Sequence, residues 1–265
     1  MISTRVFLLF IVLTSYAYGH KKIKRDQERH DHNVGIIGGH DISIEQAPFM
    51  VSIRAYGVVH WCAGSIIHER FILTTAQCAQ FNNQYRVLVG SDQLYGGGKL
   101  YDVEKNIIHE KYSYETGDYD LGLMKLNESL TFGPTVSKVF LSGHGNRVKV
   151  EVGTMLNITG WGFADLENDF SNVLQQATVP VIASDLCVRY YHNFQLTLRM
   201  LCTDATEKDP CLGDEGGPLT WNNIQIGIIT RRTGCGEYPT VYTHLKTVNR
   251  WIRKTINKHH NKKEN

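Results

Sequence analysis

From residue 36 onward the apolar residues fall into short runs separated by turn residues. Met50-Val51-Ser52-Ile53, Tyr85-Arg86-Val87-Leu88-Val89, Thr154-Met155-Leu156-Asn157-Ile158 and Ile224-Gln225-Ile226-Gly227-Ile228-Ile229 are examples. β-Branched and aromatic side chains pack well on a pleated surface, so runs of this length predict strands. Strands this short and this frequent predict an all-β sandwich or barrel. Gly96-Gly97-Gly98 predicts a turn between two of them. The period changes only near the C-terminus. Val248, Trp251, Ile252 and Ile256 recur at helical spacing, which predicts one amphipathic helix packed on the barrel.

The N-terminus follows a different pattern. Arg5 precedes an apolar run from Val6 to about Thr14, and the small residues around Ala17-Tyr18-Gly19 follow. A membrane span needs about 20 apolar residues, so residues 1–19 read as a signal peptide. His20 to Gly35 is polar and without periodicity, which predicts a short propeptide-like arm over residues 20–35. His30-Asp31-His32 in such a segment does not make a metal site, and no cysteine or histidine cluster has zinc spacing. No metal and no cofactor are expected.

Charge adds little. A formal net charge of +2 is too small to suggest a nucleic-acid partner. The basic runs Lys21 to Arg25 and Lys258 to Lys263 sit at the ends and read as solvated tails. Six cysteines in an exported chain predict disulfides, with the connectivity left open by counting alone. Two glycosylation sequons occur, at Asn127 and Asn157. Asn157 lies in an apolar strand-like stretch, so Asn127 is the better candidate.

Several segments then appear in a distinctive order. They are Ile36-Ile37-Gly38-Gly39, His60-Trp61-Cys62-Ala63-Gly64-Ser65, Leu73-Thr74-Thr75-Ala76-Gln77-Cys78 and Asp120-Leu121-Gly122-Leu123. Gly160-Trp161-Gly162, Cys211-Leu212-Gly213-Asp214-Glu215-Gly216-Gly217-Pro218 and Val241-Tyr242-Thr243 complete the series. Each alone is weak, but in this order they resemble the chymotrypsin/trypsin-like serine protease family over residues 36–256. The resemblance implies two six-stranded antiparallel β-barrels, about 36–140 and 141–247, a C-terminal helix and a basic tail over 257–265. It also implies the pairs Cys62–Cys78, Cys187–Cys202 and Cys211–Cys235.

The same resemblance places the family's histidine, aspartate and serine at Gln77, Asp120 and Glu215. An amide does not shuttle a proton near neutral pH, and a carboxylate has no hydroxyl to acylate. These substitutions lead to the expectation that the chain is not an enzyme but a secreted serine protease homologue. Its role would then be to bind an extracellular protein such as a protease, inhibitor or receptor. An endopeptidase with residual activity and a structural component of a secreted fluid are the alternatives. Gly213 and Glu215 match the oxyanion hole, and Glu215 is expected to fill it. Asp209, Thr230, Arg231, Arg232 and Thr240 match the specificity pocket. Arg232 could reach Asp209 there, or Asp209 could be a solvated or salt-bridged loop acid. Ile36 and Asp214 match the pair that forms on activation, yet Gly35 offers a trypsin-like activator no basic residue. The calcium loop is short around Ser91 to Gly98, in keeping with no expected metal.

Overall fold

The computed structural model describes residues 36–80, 84–143, 145–146, 148–163, 169–191, 195–231 and 234–260. The expected signal segment and arm, the end of the basic tail, and Arg232 lie outside these residues.

Closing a sheet on itself removes its exposed edges, and the chain does this twice. A two-residue strand β1 (His40–Asp41) leads into β2 (Met50–Ala55), β3 (Val59–His68), β4 (Phe71–Thr74), β5 (Arg86–Val89), β6 (Lys99–Ile108) and β7 (Gly122–Leu126). Strands β2 to β7 form a closed antiparallel barrel in the order β2-β3-β4-β7-β6-β5. Ile53, Ile66, Ile72, Leu73 and Leu123 fill it and are wholly buried. A short β8 (Phe140–Leu141) then precedes β9 (Met155–Gly160), β10 (Gln175–Ile182), β11 (Met200–Thr203), β12 (Pro218–Trp221), β13 (Ile224–Arg231) and β14 (Thr240–His244). Strands β9 to β14 form the second barrel, closed because β9 pairs with both β10 and β12. β1 pairs with β10, and β8 lies parallel to β13. The period-2 burial of β10, with Gln175, Ala177, Val179 and Val181 inward, is the alternation that a half-buried strand requires.

Three helices complete the described fold. Helix α1 (Ala76–Ala79) is a single turn capped by Thr75, whose hydroxyl accepts the Cys78 N–H at 3.0 Å. Helix α2 is Ser184–Tyr190, and the C-terminal α3 is Leu245–His260. Leu245, Val248 and Ile252 of α3 are buried, with Trp251 and Ile256 half-buried beside them. The predicted helix is therefore present, with the face that its periodicity indicated. Asn249 ties it to the segment after β8 by donating Nδ2 to the Ser142 carbonyl at 2.7 Å.

The disulfides are Cys62–Cys78, Cys187–Cys202 and Cys211–Cys235, with Cα separations of 6.1, 6.4 and 5.3 Å. Asn127 is exposed just beyond β7, whereas Asn157 is half-buried within β9 and accepts the Thr178 hydroxyl at 2.9 Å. Among the described residues no helix is long and apolar enough to cross a membrane.

Cys62–Cys78 closes a loop across a sequence separation of 16 residues, carrying β3, β4 and the start of α1. Replacing both cysteines with alanine is expected to lower unfolding stability by about 3 kcal/mol. Urea denaturation of wild type and variant checks this.

Candidate functional site

The site is organised around residues 211–217, a turn that precedes β12. Asp214 is wholly buried there. Its Oδ1 accepts the Gly162 N–H at 2.8 Å and its Oδ2 accepts the Cys211 N–H at 2.9 Å. A buried carboxylate is tolerable only with donors of this kind. The close approach also explains the glycine at 162, since a Cβ there would lie 2.3 Å from Asp214 Oδ2. Ile36 is likewise fully buried, in the apolar cluster of the second barrel.

Gly213 has a positive φ of 96°, and a Cβ there would meet the Phe170 ring at 2.5 Å. Its N–H is thereby free to face the site, and it donates to Glu215 Oε2 at 2.8 Å. Glu215 is half-buried, and its main-chain carbonyl accepts the Ala63 N–H at 2.9 Å. A carboxylate oxygen thus holds the backbone donor matched to the oxyanion hole. Asp120 is 3% exposed and accepts the Gln77 N–H at 3.0 Å. The bond comes from the main chain of α1; the Gln77 residue itself is exposed. The Asp120 carbonyl accepts the Thr243 hydroxyl at 3.0 Å, joining this segment to β14.

Asp209 is wholly buried, which rules out a solvated loop acid. Its Oδ2 accepts the Gly236 N–H at 3.0 Å, and its Oδ1 accepts the hydroxyl of Thr240. Thr230 is buried as well, and its hydroxyl donates to the Val241 carbonyl at 3.0 Å. Arg231 ends β13. Thr240 is thus one side chain on Asp209; Arg232, the other expected partner, lies outside the described residues.

One pair was not anticipated. The Ser52 hydroxyl lies 2.8 Å from His60 Nδ1, and His60 Nε2 lies 3.1 Å from the Gly213 carbonyl oxygen. That carbonyl can only accept, so Nε2 carries the proton in a neutral ring and Nδ1 accepts from Ser52. Burial holds the imidazole pKa down to about 4, partly offset by the Gly213 bond and reinforced by Arg54. Edge-on contacts with Phe170 and Trp161 complete its surroundings. The available signal was Ser52 itself, a hydroxyl in an apolar run, which needs a partner once buried.

Two closed barrels and a turn that presents a backbone donor define a chymotrypsin-like fold. Residues 36–252 match the trypsin family, and the chain belongs to it. It is 37% identical over 226 residues to Trypsin 5G1 of Aedes aegypti, covering 82% of this chain and 84% of that protein. It is also 36% identical over 220 residues to a trypsin of Simulium vittatum, covering 79% and 88% respectively. A vitellin-degrading protease of Bombyx mori is 32% identical over 231 residues, covering 84% and 86%.

These relatives correct the expectation that the chain is not an enzyme. That expectation rested on Gln77 and Glu215 alone, whereas the proteins matched over some four-fifths of the chain are named as trypsins and a protease. The Ser52–His60 pair is buried, with the hydroxyl on Nδ1 and Nε2 tied to the Gly213 carbonyl, so it supports the 211–217 turn from inside the fold.

Two predictions arise from this geometry. Thr240→Gly should uncover Asp209 and tighten benzamidine binding at least about tenfold, one missing hydrogen bond and its steric cover being worth over 1.4 kcal/mol. Titration calorimetry decides it, and equal affinity for wild type and variant refutes it. For His60 the folded pKa of about 4 lies below the usual 6.5, so the unfolded chain binds the proton first as pH falls. Stability should drop by about 3 kcal/mol between pH 6.5 and 4 on this account. His60→Gln should flatten that part of the curve in urea titrations.

Proposed function

We propose that this chain is an exported endopeptidase of the trypsin family, acting slowly on polypeptides held beside residues 209–216. The observation that carries this reading is the Gly213 N–H holding a negative oxygen of Glu215 at 2.8 Å. A backbone donor at that distance is what acyl transfer requires for its oxyanion. Relatives named as trypsins and as a vitellin-degrading protease support the same reaction class.

Low turnover follows from the residues at the equivalent triad positions. Asp120 is retained as the orienting acid, while Gln77 and Glu215 supply neither an imidazole nor a hydroxyl. Binding and backbone donors alone leave about 10³–10⁴ over the water rate. Glu215 must also leave the Gly213 N–H before a substrate oxygen can take its place. Asp209 would favour a cationic side chain once Thr240 gives way. With Gly35 preceding Ile36, the chain is expected to work with that bond uncut. Three disulfides and the N-terminal apolar run support an extracellular setting, where polypeptide substrates and protein partners are both met.

A fluorogenic peptide library tests the proposal. The purified secreted protein should cleave above a heat-inactivated control. Gln77→His/Glu215→Ser should raise kcat/KM by at least about 10³-fold. A wild type without cleavage, beside a double variant that cleaves, would overturn the endopeptidase reading.

A further inference from the structure

Helix α3 carries a concentration of charge that neither the fold nor the site uses. Lys246, Arg250, Lys254 and Lys258 stand at every fourth position and are all exposed, with Arg253 beside them. At 3.6 residues per turn they form one ridge about 18 Å long. The helix contains no Asp or Glu. No ion pair among the described residues uses any of the five cations. The carboxylates that do touch the helix engage other residues. Glu110 accepts the Trp251 indole N–H at 2.6 Å, and Glu69 lies 3.9 Å from His260. Like charges repel along the ridge, and their counterions would be released by a linear polyanion.

The surface is also shaped. Lys246, Asn249, Arg250, Arg253, Lys254 and Asn257 line a concavity of about 520 Å³. Asn249 is buried with its amide on Ser142, so the polar groups exposed at the rim are the Lys and Arg heads and the Asn257 amide, set among their apolar stems. These suit anionic groups interspersed with hydroxyls. Net charge gives no hint of this, since the whole chain carries only +2. We propose that this face of α3 binds an extended sulfated polysaccharide.

Other polyanions fit less well. No aromatic side chain stands on the ridge to stack nucleic-acid bases, because Trp251 is half-buried against His109, 4.7 Å between ring centroids. No apolar residue on the ridge is available to enter a lipid interface. Three disulfides fit an extracellular location, where sulfated polysaccharides occur.

Fluorescence titration with a labelled heparin dodecasaccharide tests the proposal on the full mature chain. Binding should weaken roughly a hundredfold between about 50 and 200 mM salt if the five cations each engage an anionic group. Lys246→Glu/Arg250→Glu/Lys254→Glu should lose at least about a hundredfold at low salt. Lys105→Glu/Lys111→Glu/Lys149→Glu makes the same change in net charge at exposed lysines elsewhere, and should bind nearly as well as wild type. Circular dichroism melts establish that both variants fold. No heparin binding by wild type, or equal losses in the two variants, would overturn the proposal. Equal or tighter binding of a single-stranded DNA of matched length, or of phosphatidylserine vesicles, would overturn it in favour of that partner class.

Discussion

The buried carboxylate of Asp214 is the constraint on which the site depends. A charge removed from water must find donors, and here they are the main-chain N–H groups of Gly162 and Cys211. The Gly162 bond ties the 211–217 turn to the segment following β9, and the Cys211 bond closes the turn on itself. Cys211–Cys235 braces the same turn from its other end. With its neighbours fixed, Gly213 takes its positive φ and turns its N–H into the site while its carbonyl faces His60. The Ala63 bond to the Glu215 carbonyl then joins the turn to β3 of the first barrel.

This segment is one of several ties between the barrels, beside the Thr243–Asp120 and Ser65–Gln225 bonds, and the acids on and around it are satisfied by different means. Asp214 is satisfied by buried amides. Asp120 receives the first turn of α1, and Asp209 is covered by Thr240 and Gly236. Glu215 alone sits half-buried, with its carboxylate on Gly213. A group with that exposure can exchange its backbone donor for water at modest cost, which the other three acids cannot.

Much of this was legible in the sequence, for identifiable reasons. Strand runs such as Ile224 to Ile229 announced the barrels because β-branched residues with inward alternation have few other uses. The helix at Val248 to Ile256 showed because its period differs from everything before it. Trp161 and its flanking glycines marked a close approach, realised as Asp214 against Gly162. Local patterns did not reveal long-range pairing. Ser52 and His60 are eight residues apart, and their link to Gly213 spans 153 positions. Thr240 on Asp209 likewise depends on β14 passing beside residue 209. Substitutions at Gln77 and Glu215 were visible, but weighing them alone led to an expectation of inactivity that the relatives do not support.

Average charge was the poorest guide. A net of +2 concealed acids gathered around the 209–215 segment and cations gathered along α3. Fields of this kind act over about a Debye length, roughly 8–10 Å at physiological salt, so the exposed ridge of α3 presents its own sign to an approaching molecule. The basic residues at the C-terminus looked like a solvated tail because a linear reading starts the run at Lys258. Helical geometry places Lys258 on one ridge with Lys254, Arg250 and Lys246, the last of them twelve residues back along the chain. A run of charge in sequence and a ridge of charge in space are different objects, and only the second has a shape that a ligand can match.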